Sequence, residues 1–380
     1  MSKKNMFDDY ILDKNRKDES VTKSTSTKSE ETPARSASAK DSQVLDHQQK
    51  IDEDKAAILD KLSFPRSILP WQNIDSNMTR QLLKAGYTSV KLLATATTGE
   101  IVSMTNIPRS YVDQLIANAK DWEDFHFETA ANLLSDRTKL KRISTGSSSL
   151  DRLLGGGVEP RSITEFYGSY TTGKTQLSIQ LAVNATLEED GKGHAVYIDT
   201  EGSFRPERIE QICEEANLDA ESILNRIYVG RAHNTTIQME LTNAVSELAT
   251  NQSVKLLILD SLTSNFRAEY IGKGSIMDRQ QKLNQHVQQL ARISDMLNIA
   301  VVITNQVMSV IDGFENSLQP VGGNILAHGS THRVELTKSK KHNQVRYAKL
   351  IASPSLPEST AEFKITRGGI KDVNHLSKNT

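Results

Sequence analysis

A single cysteine, Cys213, stands in 380 residues. That scarcity excludes a disulfide framework and any zinc module built from cysteine. Cys213 lies in the apolar-spaced run Ile209, Ile212, Cys213, Ala216, the setting of a buried, inert thiol. Net charge is equally scarce: 46 basic against 47 acidic side chains leave −1, with a sequence pI near 6.8. Bulk charge therefore makes no case for nucleic acid, and any such case has to be local. No apolar run reaches the length of a membrane span, and no signal peptide opens the chain. A soluble intracellular protein of cytoplasm, nucleoid or nucleus is expected, with no membrane partner. What the chain does have is length and apolar content: 37% hydrophobic residues can supply the cores of two domains and leave a tail.

Residues 1–57 are polar, with the low-complexity stretch Lys23-Ser24-Thr25-Ser26-Thr27-Lys28-Ser29. They offer too little apolar surface to offset the entropy of ordering, so a disordered tail is expected. Across 58–122, apolar residues at helical spacing over Met78–Ala85, Leu92–Ala96 and Tyr111–Ala119 point to a small all-α unit, with Pro108 suited to a first helical position. Residues 123–137 read as a charged and aromatic linker. From 138 to 373 the text becomes α/β: Ile163–Tyr167, Ala195–Asp199, Arg226–Gly230, Leu256–Asp260 and Ala300–Thr304 alternate with helical segments, which argues a mainly parallel sheet. Arg333–Lys338, Tyr347–Ala352 and Ala361–Thr366 follow without helices between them and are expected as an antiparallel extension. Residues 374–380 read as a C-terminal tail.

The stretch around which this pattern turns is Gly168-Ser169-Tyr170-Thr171-Thr172-Gly173-Lys174-Thr175, set between the run Ile163–Tyr167 and a helical segment beginning with Gln176. It matches G-x-x-x-x-G-K-[ST], the P-loop. Gly168 and Gly173 let backbone N–H groups close around phosphate oxygens. The helix starting at Lys174 points its positive end at the same anion. The Lys174 ammonium is expected to reach the β- and γ-phosphates, and the Thr175 hydroxyl to ligate Mg²⁺. A Gly-rich turn before a surface helix would be the bland alternative, but strand, loop and helix together favour a nucleoside triphosphate.

A P-loop enzyme also needs a carboxylate at a strand end to hold Mg²⁺ through its water shell, and Asp260 closes the apolar run Leu256-Leu257-Ile258-Leu259. Several P-loop classes place a catalytic Glu directly after this Asp; here Ser261 follows. The base has to come from elsewhere, and Glu201, in Tyr197-Ile198-Asp199-Thr200-Glu201-Gly202, is the best candidate because strand carboxyl ends face the ligand crevice. An exposed acid in a turn closed by Gly202 is the competing reading.

Several motifs in the same order carry a resemblance. They are Ile198-Asp199-Thr200-Glu201-Gly202-Ser203-Phe204-Arg205-Pro206-Glu207-Arg208, Val301-Val302-Ile303-Thr304-Asn305-Gln306-Val307 and Gly322-Gly323-Asn324-Ile325-Leu326-Ala327-His328. Over roughly residues 66–373 the chain resembles the RecA-like strand-exchange recombinases of the archaeal RadA and eukaryotic-type branch. The resemblance implies a RecA-like P-loop ATPase core with ATP and Mg²⁺ as cofactors. It implies Glu201 as the water-activating base, Arg208 against the adenine, and Gln306 and His328 as γ-phosphate sensors. It implies DNA contact by Arg267, Lys273 and Arg279 in a first loop with Tyr270. A second loop, Val307–Gly323, would supply Val310 or Phe314 as a wedge between bases. Phe127-x-x-Ala130 is similar to the motif that joins neighbouring subunits. The N-terminal pattern Asn73-Ile74-Asp75…Gly86-Tyr87 and Ile101…Ile107-Pro108…Ile116 resembles a pair of helix–hairpin–helix units, in which the hairpin turns Asn-Ile-Asp-Ser-Asn and Asn-Ile-Pro-Arg-Ser lack the usual glycine.

Two further departures stand out. Ala352 occupies the place of a usual Asp in the segment Ile351–Pro357, which by resemblance caps the neighbour's nucleotide and includes Pro357. Ser169 and Thr171 stand where Glu and Gly are common. The implied activity is a DNA-dependent ATPase that forms filaments on single-stranded DNA and pairs it with homologous duplex in recombinational repair. Expected partners are single- and double-stranded DNA, further copies of itself in a helical filament or ring, and recombination mediators. A mediator paralogue with little hydrolysis and a hexameric helicase on the same core are the alternatives. The intact Lys174, Glu201 and Phe127-x-x-Ala130 and the helical N-terminal unit weigh against both.

Overall fold

The computed structural model describes residues 76–123, 125–312 and 315–373. Both expected tails and the first part of the helical unit lie outside that range. The main sheet is built from β1 (Ser162–Tyr167), β2 (His194–Asp199), β3 (Ile227–Arg231), β4 (Val254–Asp260) and β5 (Ala300–Asn305), and its later strands follow a separate ribbon of β6 (Val307–Asp312) and β7 (Glu315–Pro320). Those later strands are β8 (His332–Lys338), β9 (Val345–Ala352), β10 (Thr360–Thr366) and β11 (Gly369–Asp372). The order across the sheet is β11-β10-β9-β8-β1-β5-β4-β2-β3. Strands from β8 to β3 run parallel, and β9, β10 and β11 are antiparallel.

Every residue of β1 and β5 is buried, because helices cover both faces and the strands therefore read as continuous apolar runs. One layer packs Phe166, Leu177, Tyr197, Leu256 and Phe363; the other packs Ile163, Ile198, Leu257, Leu283 and Leu290. The helix Lys174–Thr186 is buried around most of its circumference, Ser178, Gln180 and Thr186 included. Its polar positions are satisfied locally: Gln180 Oε1 accepts the N–H of Ile370 in β11 at 3.1 Å. Cys213 is fully buried, and burial raises its thiol pKa.

Two expectations need correction. β8 pairs antiparallel with β9 as expected of the extension, but on its other side it joins the parallel sheet, pairing with β1, Thr164 opposite His332 and Tyr167 opposite Glu335. The helix Gly323–Gly329 returns the chain to the far end of the sheet before β8 starts, which supplies the crossover that a parallel neighbour requires. The second loop is built on the antiparallel ribbon β6–β7, with Val307 opposite Pro320. Pro108 is the N-cap of the helix Arg109–Trp122 rather than its first residue, with ψ 140; proline fixes φ but leaves ψ free to stay extended.

The helical unit buries its own cluster of Leu93, Ile101, Val112, Leu115, Ile116 and Ala119. It is fastened to the core by Glu100 and Arg292, whose side chains are 12% and 14% exposed and meet through both guanidinium nitrogens. A paired fork of this kind is directional as well as charged. Beside it, Asn243 Nδ2 donates to Met104 Sδ at 3.3 Å.

Below the sheet, Glu159 is nearly inaccessible and meets His332 Nε2 at 3.3 Å, Arg142 Nη1 at 2.8 Å and the Arg137 guanidinium. The His332 hydrogen bond and the two arginines hold its carboxyl at about 2, against an ordinary 4.5. A carboxyl depressed by folding stabilises the native state fully above its unfolded value and loses that contribution as pH falls through the folded one. Glu159→Gln should therefore lower stability at pH 7, and its acid destabilisation between about pH 4.5 and 2 should be shallower than in the parent. Denaturant melts at pH 7, 4.5 and 3 check this; parallel pH curves for the two proteins would remove Glu159 from the account of acid unfolding.

Candidate active site

The carboxyl ends of β1, β2, β4 and β5 meet at one edge of the sheet, and the P-loop leaves β1 there. Gly168 passes so close to β8 that a Cβ would lie 2.2 Å from the Leu336 carbonyl oxygen. Gly173 caps the following helix at φ 102; a side chain there would meet Ile365 at 2.6 Å. Both glycines are thus required by contact as well as by conformation. Thr172 is buried and donates to the Ser169 carbonyl at 2.9 Å, while Ser169, Tyr170 and Thr171 face outward. Lys174 Nζ donates to the Gly168 and Ser169 carbonyls at 2.8 and 2.9 Å. Burial lowers its pKa, opposed by Asp260 and Glu201. These carbonyls occupy the ammonium that phosphate oxygens would claim.

Asp260, at the end of β4, gathers hydroxyls from three directions. Its Oδ2 accepts from Thr175 Oγ1 at 2.7 Å and from Tyr197 OH at 2.6 Å, and its Oδ1 from Thr304 Oγ1. Burial, then the Asp260 charge, push the Tyr197 phenol well up, so it remains a donor. Thr175 and Asp260 give Mg²⁺ a hydroxyl and a carboxylate oxygen side by side, the hard-oxygen pair this ion takes together with phosphate and water. Among the described residues no group of three or more His, Cys, Asp or Glu is placed to hold a metal, which suits an ion that shares its shell with a substrate.

Glu201 stands at the exit of β2. Asp199 shapes its turn: Oδ1 accepts the N–H groups of Glu201, Gly202 and Ser203 at 3.1, 2.8 and 3.2 Å, and Oδ2 that of Phe204 at 3.2 Å. Glu201 Oε1 accepts from Ser261 Oγ and Gln306 Nε2, both at 2.8 Å. Ser261, notable in the sequence only for not being Glu, is therefore a partner of the acid that replaces it. Tyr197, Thr304 and Ser261 all escape motif reading. Their signal was a polar residue at or beside the carboxyl end of an apolar strand, and only the strand order reveals that these ends adjoin.

Arg208 lies near the P-loop helix. Its Nε donates to Gln176 Oε1 at 2.7 Å, and its Nη2 to the Thr366 carbonyl at 2.6 Å. His328 and Pro357 do not join this cluster. His328 is exposed at the end of the helix Gly323–Gly329, in a cleft with Gln280, Asn284 and Asn324. β9 runs back from the P-loop edge, and Ala352 pairs with Arg333 at the start of β8, so the segment leading to exposed Pro357 emerges at the opposite edge. Of the candidate DNA residues, Arg267 is exposed and Arg279 is half-buried in the first turn of the helix Ile276–Leu297. Lys273 is in a short 3₁₀ turn and Val310 in β6; their side chains, and all of Phe314, lie outside the described residues. Phe127 is fully exposed, and Ala130 opens the helix Ala130–Thr138, none of whose residues is buried.

Thr171 sits at φ 66, the left-handed region that costs an L-residue about 1–2 kcal/mol. Thr171→Gly should raise the melting temperature slightly. The relieved strain, less about 0.5–1 kcal/mol for glycine's extra freedom in the unfolded chain, leaves a gain of ~1 kcal/mol or less. A fall in melting temperature would mean that the Thr171 side chain contributes contacts outweighing its backbone strain.

Comparison with known proteins adds to this geometry. The Rad51 family model matches residues 136–373. Over 324 residues the chain is 40% identical to the DNA repair and recombination protein RadA of Aeropyrum pernix, an alignment covering 84% of this chain and 99% of that protein.

Proposed function

The chain belongs to the Rad51 family, and from that premise we infer how its geometry serves a DNA-dependent ATPase that catalyses homologous pairing and strand exchange in recombinational repair. As in the family, it uses ATP, binds DNA and assembles into filaments. No helix among the described residues is long and apolar enough to cross a membrane.

The convergence of Lys174, Thr175, Asp260 and Glu201 at one sheet edge carries the reading of the site. Lys174 exchanges its loop carbonyls for the β- and γ-phosphates, and the P-loop amides from Ser169 to Thr175 cradle them. Thr175 and Asp260 would hold Mg²⁺, which would supply positive charge against the negative charge developing on the phosphates. Glu201 accepts a proton from water as the water oxygen bonds to the γ-phosphorus and the bond to the ADP oxygen breaks. Gln176 fixes Arg208 beside the adenine subsite. His328 and Pro357, away from this subunit's own P-loop cluster, reach the nucleotide of a second copy, so each ATP is enclosed between two subunits. Arg267 and Arg279 are assigned to DNA contact, together with Lys273, Val310 and Phe314 from the family pattern, and mediators that load the protein on DNA are further partners.

Glu201→Gln should bind ATP normally and lose at least ~10²-fold in turnover, the scale of a lost general base. Lys174→Ala should instead weaken nucleotide binding, because it removes a contact made before the transition state. Near-normal hydrolysis by Glu201→Gln would transfer the role to another acid.

Polymerisation is assigned to the segment 123–137 between the helical unit, 58–122, and the core, 138–373. The Phe127 ring fills no place in its own subunit. An apolar groove of about 390 Å³, lined by Val196, Tyr228, Val229, Leu241 and Leu248, lies beside the edge strand β3, whose outer backbone is free for an extended segment to pair with. Phe127 of one subunit enters this groove on the next, with Ala130 packed close behind. A buried aromatic anchor is worth ~2 kcal/mol or more, and a polymer loses that at every joint. Phe127→Ala should leave monomers or short species by light scattering, with subunit melting unchanged. A destabilised subunit that still forms long filaments would refute the assignment.

A further inference from the structure

Where β8 starts and β9 exits, three side chains that the P-loop site does not use are linked in series. Glu159 Oε2 meets His332 Nε2 at 3.3 Å, and the other ring nitrogen of His332, Nδ1, meets Ser353 Oγ at 3.1 Å. Glu159 and His332 are each 2% exposed. Glu159 is held in turn by Arg142 Nη1, 2.8 Å from the same oxygen, and by the Arg137 guanidinium on Oε1. The ring of His332 therefore stands against a fixed carboxylate.

The Ser353 hydroxyl folds the chain that leaves β9. Its oxygen accepts the backbone N–H groups of Ser355 and Leu356 at 3.2 and 3.0 Å, a side-chain turn that draws the backbone away from a continued strand. A hydroxyl has two acceptor positions and one proton to give. The two N–H groups fill the acceptor positions, so the proton needs a partner of its own. His332 supplies it: with the Nε2 proton directed at the Glu159 carboxylate, Nδ1 keeps a free lone pair. One tautomer and one hydroxyl rotor thus satisfy the whole series. The residues beside Ser353 offer no such anchor, since Ala352 has no polar side-chain atom and Pro354 has no N–H. Leu356 packs on the core, while Pro354, Ser355 and Pro357 are exposed.

We propose that His332 is a positioning residue for nucleotide binding between subunits, which fixes the turn Ser353–Pro357 through the Ser353 hydroxyl in the form that Pro357 presents to a second copy. It rests on the reading that Pro357 reaches the neighbour's ATP, and supplies what shapes that contact. A segment ordered beforehand costs less entropy to bind than one that is ordered on contact. The series therefore acts on ATP affinity, with the chemical step untouched.

Steady-state ATP hydrolysis by the full chain on saturating oligo-dT, at protein concentrations giving equal light scattering, provides the test. Ser353→Ala should raise KM for ATP by roughly fivefold, the scale of one neutral hydrogen bond, with kcat unchanged, as for a lost contact that is equal in ground and transition states. Ser353→Thr, which keeps the hydroxyl, should stay near the parent. His332→Phe, which keeps a ring but neither nitrogen, should match Ser353→Ala, and the double variant should lose nothing more. A merely structural role would lower the melting temperature and leave KM alone. A parental KM in Ser353→Ala overturns the proposal. Co-assembly with Lys174→Ala subunits, whose P-loop is impaired but whose turn is intact, tests the premise separately. P-loops of Ser353→Ala subunits that face an intact turn should regain the parental KM. A raised KM that co-assembly leaves in place means that the turn serves its own subunit, so the reading of Pro357 has failed and the proposal with it.

Discussion

The carboxylate of Asp260 joins parts of the chain that are far apart in sequence. It accepts from Thr175 on the P-loop helix, Tyr197 in β2 and Thr304 in β5, and it stands itself at the end of β4. A buried carboxylate without partners would cost several kcal/mol; with four hydroxyl donors, Ser203 Oγ at 3.4 Å the most distant, it is held in one orientation. The ends of adjoining strands and the start of the phosphate-binding helix are thereby locked to a common centre. Asp199, its register neighbour on β2, does the same for the next layer, accepting four consecutive backbone N–H groups and fixing the turn on which Glu201 stands. One acid orders the start of the P-loop helix, the other the turn that carries Glu201.

This division accounts for what could be read in the sequence. The P-loop is a local object: eight residues, two of them glycines with contact reasons to be glycine, between a strand and a helix. Its geometry needs nothing from elsewhere to be recognisable. Asp260 and Glu201 were legible for a related reason, since each closes an apolar strand on the side where a parallel sheet binds ligands. Ser261, Tyr197 and Thr304 were not, because nothing local distinguishes them. Tyr197 alternates along β2 like any core residue, and its hydroxyl becomes a site component only because β2 pairs with β4 in a register that sets Asp199 beside Asp260.

The corrected elements fail for the same physical cause. The strand at 332–338 looks like the start of an antiparallel series because no long helix precedes it; its direction is set by the seven-residue helix Gly323–Gly329, too short to read as a crossover. The second loop carries the ribbon β6–β7, which no local signal announces because its pairing is a property of two segments at once. Thr171 is the opposite case. A threonine at φ 66 contradicts the preference of its own side chain, and the loop around it prevails because the flanking Gly168 and Gly173 are clamped against β8 and β10.

The distribution of the remaining candidates across the molecule gives the assembly its logic. Within one subunit the P-loop edge contains Lys174, Thr175, Asp260 and Glu201, while the segment leading to Pro357 emerges at the other edge, where β8 starts and β9 exits, and His328 lies in a separate cleft with Gln280 and Asn284. Phe127 is fully exposed, none of the residues of the helix behind it is buried, and an apolar groove lies beside β3; on the proposed assignment these would let a second copy stack in fixed orientation and bring His328 and Pro357 to its neighbour's nucleotide. Nucleotide enclosure and polymer growth then become one equilibrium, because each added subunit completes the site of its neighbour. DNA adds a third participant to it. The first loop, rooted in the helix Ser264–Glu269 directly after β4, is connected to the base by only two side chains, Gln306 and Arg267.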